Sequence, residues 1–146
     1  MTPPDSLDRS SPLFWLTLAA ILGIVFIGLR FLVAPLTAAA AFGVPLADGS
    51  DGIAFAYTKG IRDIFSGLVG LPFLLAGQRR PIAWVLLVAT IVPLTDGLIM
   101  MMFSGVQRVF LAIHWGAAVY LIVVAFFLFR TSRLLTHPSH PAARRV

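Results

Sequence analysis

Two arginines, two aspartates and one histidine interrupt stretches of chain that are otherwise apolar: Arg30, Arg62, Asp63, Asp96 and His114. Together these types can do chemistry. Guanidinium forks grip carboxylate, phosphate or carbonyl oxygens. A carboxyl in an apolar site titrates upward, and imidazole already titrates near neutral pH. Arg30 and Arg62 therefore read as ligand-binding groups for a polar head, with Tyr57 and Lys59 as further contacts. Asp63, Asp96 and His114 read as candidate catalytic groups for proton transfer. The competing reading is architectural. A charge-neutral Arg–Asp network can hold helices in register, with Asp63 to Arg30 and Arg62 to Asp96 as one pairing and His114 bonded to a carboxylate.

Other chemistries are excluded or disfavoured by residue type. Two carboxylates and an imidazole suit a divalent metal, but the neighbouring arginines oppose one, and no metal is expected. Met100, Met101 and Met102 are consecutive and cannot converge on copper. Asp48-Gly49-Ser50-Asp51-Gly52 resembles the start of a calcium loop, yet Lys59 stands where the bidentate acid belongs, so a polar turn is expected. A single membrane-embedded histidine cannot provide bis-histidine haem ligation. There is no Gly-rich phosphate loop, no Gly-x-Ser-x-Gly and no cysteine. No cofactor is expected.

The elements that must position these residues are membrane spans. The chain has 146 residues, 59% hydrophobic and 12% charged, with mean hydropathy +0.95. Soluble domains carry about 25% charged residues, so this composition belongs to the membrane class. Four apolar segments stand out: Leu13 to Ala34, Gly60 to Gly77, Ile82 to Phe103 and Val109 to Phe129. Each approaches the ~20 residues a spanning helix needs, and none alternates as a barrel strand would. The fold expected is all-α, an integral membrane four-helix bundle. Residues 1–12 form a polar, disordered lead, residues 13–130 the transmembrane domain, and residues 131–146 a flexible basic tail. Ser10 or Ser11 can cap the first helix, with Pro12 in its first turn. That helix is too long for a signal h-region, and its lead carries two acids, so it is read as retained.

Arg9, Arg79, Arg80, Arg130, Arg133, Arg144 and Arg145 lie on one side, against Lys59 and Arg108 on the other. The positive-inside rule then places both termini in the cytoplasm, with the protein integral to the membrane, the plasma (inner) membrane if the source is bacterial. The net charge of +5 reads as topology signal and attraction to anionic lipid, with no nucleic-acid partner. Gln78 to Pro81 and Ser104 to Arg108 read as tight turns. The first extracytoplasmic connection, Pro35 to Lys59, is long. Leu36 to Phe42 within it can form a short interfacial helix ended by Gly43, and the whole can act as a lid.

At a rise of about 1.5 Å per residue, Arg30, Arg62, Asp63, Asp96 and His114 all fall roughly 6–12 Å inside the outer helix ends. Each charge costs about 2.5–3.5 kcal/mol at a helix centre on insertion scales, so they should converge inside the bundle. Ser66, Gly67 and Gly70, and Gly116 to Ala118, give small faces for close helix approach. Pro72 and Pro93 can kink their helices.

Lys59-Gly-Ile-Arg62-Asp63-Ile-Phe-Ser-Gly67, Pro93-Leu-Thr-Asp96-Gly97, His114-Trp-Gly, Gly28-Leu-Arg30 and Phe42-Gly-Val-Pro45 together resemble a family of small four-helix membrane proteins catalogued as a domain of unknown function. In broader architecture the chain resembles DoxX-like membrane proteins. The resemblance implies a fold and no activity. Three functions remain in competition. The first is an enzyme or binding protein for a small apolar molecule with a polar head. The second is an accessory or scaffold subunit beside a membrane partner protein. The third is a proton-coupled carrier working as a homo-oligomer.

Overall fold

A computed structural model describes residues 6–47, 49–102 and 108–135, with the backbone alone for Ser50 and residues 132–135. Six helices follow in order: α1 Pro12–Val33, α2 Pro35–Phe42, α3 Ser50–Leu75, α4 Arg79–Ala89, α5 Ile91–Met102 and α6 Arg108–Leu135. Among the described residues there is no strand, only an isolated bridge between Ser6 and Gln78. Three stretches are long and apolar enough to cross a membrane: Pro12–Val33, Arg79–Met102 and Arg108–Thr131.

Local chemistry sets the boundaries. The Ser11 hydroxyl accepts from the Leu13 amide at 3.3 Å, and Pro12 occupies the first turn of α1. Pro35 forces Ala34 out of the helical region (φ −140°, ψ 67°), which ends α1 and starts α2. The expected short helix is therefore present, and Gly43 ends it in the left-handed region at φ 99°. A side chain there would also collide with Met100. The second half of the long connection differs from expectation. Residues 50–59 are helical, so α3 begins at Ser50 rather than near Thr58. Asp51 in its first turn suits the helix dipole. Ser50 to Gly52 belongs to that helix and not to a turn; Asp48 lies outside the described residues.

The third apolar segment is divided at Thr90. Pro93 has no amide hydrogen to give the Ala89 carbonyl, and its ring crowds that carbonyl. Thr90 closes α4 with both its amide and its hydroxyl on the Leu86 carbonyl. Pro72 causes no such break in α3. The turn after α3 comes before Gln78 to Pro81: Gly77 takes φ 68°, and Pro81 already lies inside α4. The last helix continues past Thr131 to Leu135, where a flexible tail was expected. Residues 136–146 and the turn at residues 103–107 lie outside the described residues.

α1 and α3 run antiparallel in close contact, α6 packs on α4 and α5, α3 meets α4, and α2 sits against α1 and α3. A Cβ on Gly28 would stand 2.6 Å from the Gly60 carbonyl oxygen, and one on Gly60 2.8 Å from that of Gly28. The two backbones thus touch where only glycine fits. Gly67 and Gly70 face Ile21 of α1 as a small face should, whereas Gly116 meets nothing. The main core joins Leu7, Phe14, Ile21, Leu74, Ile82 and Leu128, at the end holding the start of α1.

Residues 6–11 are docked, not disordered. The Leu7 amide donates to the Gly77 carbonyl at 2.7 Å, Arg79 Nε donates to the Ser6 carbonyl at 3.0 Å, and Leu7 is buried. The amide and hydroxyl of Ser10 both donate to the Asp8 carboxylate and hold its pKa below the usual value.

The exterior is apolar. Leu22, Phe26, Leu29 and Val33 form an exposed helical stripe on α1, and Ile61, Phe65, Leu68 and Leu75 form one on α3. In water such faces would associate; in lipid they are solvated.

Candidate functional site

The candidate site lies at the end of the bundle remote from the main core. Phe31 of α1, Ala38 and Ala39 of α2 and Ala56 of α3 form a second, smaller buried cluster there, with Phe42 and Leu46 packed against it. α2 turns inward because its alanines present no bulk. It thereby carries Phe42 and Gly43 to the bundle interior, beside Met100 and Phe110.

Between α2, α3 and α5 is an open cleft of about 920 Å³. Lys59, Arg62, Asp63 and Asp96 line it, with Ser66 beside them. The remaining wall is apolar, built from Phe31, Phe55, Val92, Ile99, Met100 and Phe110. Lys59, Arg62, Asp63 and Ser66 share this face because they recur at helical spacing on α3. Asp96 comes from α5, the half-helix that Pro93 separates from α4.

The ion pair in this layer is Lys59 to Asp63, at 2.9 Å and within one helix. Neither expected arginine pairing forms. A four-residue step along α3 brings the ammonium to Asp63 at no tertiary cost. Lys59 Nζ also lies 4.4 Å from the Phe42 ring centroid and 5.1 Å from that of Phe31. Ring faces attract a cation, so the two rings and the carboxylate together hold the ammonium in place. Asp63 is buried, whereas Arg62 is exposed on the cleft side of α3. Among the described residues Arg62 and Asp96 have no partner at ion-pair distance. Asp96 does interact electrostatically with Lys59, His114, Asp63 and Arg62.

Arg30 and His114 line a different cleft, of about 180 Å³, behind Phe42. Phe31, Phe42 and Phe110 border both spaces, so this aromatic wall separates them. His114 is buried with its ring edge-on to Phe42, centroids 4.6 Å apart. Among the described residues it makes no hydrogen bond to a carboxylate. Tyr57 is exposed on α3 and lines neither cleft. The expected layer is therefore divided between two spaces. No three His, Asp or Glu side chains come together among the described residues.

The Phe42 wall was not evident from the sequence, although Phe42-Gly43 after an alanine run marks the place. The Lys59–Asp63 spacing was a signal available for the ion pair.

Residues 21–128 match the family described as Domain of unknown function (DUF4267). The chain belongs to that family. The DUF4267 match includes every residue of the polar layer, from Arg30 to His114, and all of α2 to α5. It leaves out the docked lead and the end of α6. No curated protein and no solved structure matches the chain.

Proposed function

We propose that this DUF4267 protein is a four-span, DoxX-like bundle in the plasma membrane that binds a small apolar molecule by its polar head. The fourth span is α3. Its 26 residues reach about 39 Å, and its outward stripe is as apolar as that of α1. Lys59, Arg62 and Asp63 line the cleft, and Asp51 lies in the first turn, at the helix end. The arginines at the end holding the start of α1 support a topology with both termini in the cytoplasm and the cleft in the outer half.

The observation that carries this reading is the split lining of the 920 Å³ cleft: four ionisable side chains on one part, aromatic and aliphatic side chains on the rest. Such a site fits an amphiphile. Arg62, with its guanidinium unpaired by carboxylate among the described residues, receives an anionic or carbonyl head. Lys59, held by Asp63 and the two rings, adds positive potential. Asp96 is the group placed to exchange a proton with the head if the molecule is transformed, with Asp63 next to it. An architectural role for the layer is less well supported. The ion pair found in the layer among the described residues joins two residues of one helix and cannot tie helices together.

The test is mass spectrometry of small molecules retained by protein purified in a mild, lipid-preserving system. Wild type is expected to carry an amphiphile that Arg62→Ala lacks. Repeated absence of any such molecule from wild type would overturn the reading.

A further inference from the structure

At the opposite end, Arg80, Trp84, Phe126, Phe129 and Arg130 line an open cleft of about 520 Å³ between α4 and α6. Both arginines are exposed, and among the described residues neither has a carboxylate partner. The Trp84 and Phe129 rings meet edge to face, centroids 5.0 Å apart, and form the wall between them. Trp84 and Phe126 are 59% and 56% exposed, so an apolar surface runs from the arginines along the helices. Arg79 and Arg80 also occupy the first turn of α4, which has no acidic residue and no side-chain cap. Two cations there oppose the helix dipole, and an anion would relieve both.

A topology signal needs only the charges. It does not need two guanidiniums on neighbouring helices with an aromatic wall between them. We propose that this cleft binds one anionic phospholipid, with the phosphate between Arg80 and Arg130 and an acyl chain along Trp84 and Phe126. Guanidinium forks suit a phosphodiester, and basic pockets between helices at this face suit acidic headgroups. The inference rests on the chain being a membrane protein. It is independent of the outer cleft, whose ligand can fail while this site stands.

The full chain in detergent is titrated with dioleoylphosphatidylglycerol, dioleoylphosphatidylcholine or inorganic phosphate, following thermal stability and lipid retention in native mass spectrometry. Phosphatidylglycerol is expected to bind and raise the Tm; the other two are not. Arg80→Gln with Arg130→Gln should bind about thirtyfold more weakly, at about fivefold per arginine. Arg9→Gln, which removes one charge at the same end, should stay within about twofold. If the double variant does not fold, Arg130→Gln carries the test with its fivefold loss. Undiminished binding in the cleft variants, an equal loss in Arg9→Gln, or an equal response to phosphatidylcholine would overturn the proposal. A response reproduced by inorganic phosphate would mean a free-anion site and would overturn it as well.

Discussion

Leu7, Phe14, Ile21, Leu74, Ile82 and Leu128 interlock at one end of the bundle, around side chains that are almost wholly covered. At the other end the buried apolar cluster is Phe31, Ala38, Ala39 and Ala56, with Met100 also buried nearby, and much of the remaining space is a cleft. The same helices supply both ends, so the difference lies in what each turn of helix presents. Toward the Leu7 end α1 and α3 offer branched and aromatic side chains. Toward the α2 end they offer Gly28 and Gly60, where the two helices touch, and the Lys59, Arg62 and Asp63 side chains line the cleft bordered by α2 and α5. In lipid, burial of apolar surface drives association little, and packing drives it more. A well-filled end can then hold the bundle while an open end remains available to a ligand.

This contrast can be broken in four ways. The largest effect is expected from Gly28→Val, because two of the three atoms its Cβ meets, the Gly60 carbonyl oxygen and the Ile64 amide nitrogen, are backbone and cannot swing aside. It should cost about 3 kcal/mol or more in detergent unfolding and separate α1 from α3. A variant with unchanged Tm would remove the glycine contact from the account. Next is Asp63→Asn, which leaves the Lys59 ammonium half-buried without its carboxylate. About 3 kcal/mol is expected, largely restored when Lys59→Met is added. A double variant no better than the single one would show that Asp63 acts through something other than Lys59.

Leu128→Ala comes third. The side chain is fully buried, and the cavity term persists in lipid even where the transfer term fades. A loss of about 2 kcal/mol is expected. The same truncation at cleft-lining Ile99 should change stability far less, and equal losses would erase the distinction between the ends. The smallest stability effect belongs to Arg62→Gln. As an exposed residue with no carboxylate partner among the described residues, it should shift unfolding by less than about 0.5 kcal/mol. A large shift would make Arg62 a structural residue.

Much of this was legible from residue types. Ser11 and Pro12 announced the start of α1, Gly43 the end of α2, and Pro93 a break in the third apolar segment. Three things escaped. The docking of Leu7 depends on Gly77, seventy residues away, and no local pattern encodes it. The true start of α3 was masked by Asp51, Gly52 and Lys59, which lower hydropathy without preventing a helix. The separation of Arg30 and His114 from the main cleft depends on where α2 places Phe42, and that is decided by tertiary packing. The arginine–aspartate pairings failed for a related reason: equal depth places groups in a layer but not on facing sides.

The hydrogen bond from Leu7 to Gly77 has a consequence for how the chain is made. Its donor leaves the ribosome before its acceptor, which follows only after two long helices. Until then the first helix has nothing to fasten to at the Leu7 end. The clasp closes only if residues 6–7 and the turn at 76–79 emerge on the same side of the bilayer. A first helix inserted backwards relative to its neighbour would leave both halves of the clasp on opposite faces. In the proposed four-span arrangement the contact would therefore form only in the correctly threaded hairpin, after both of its arms exist.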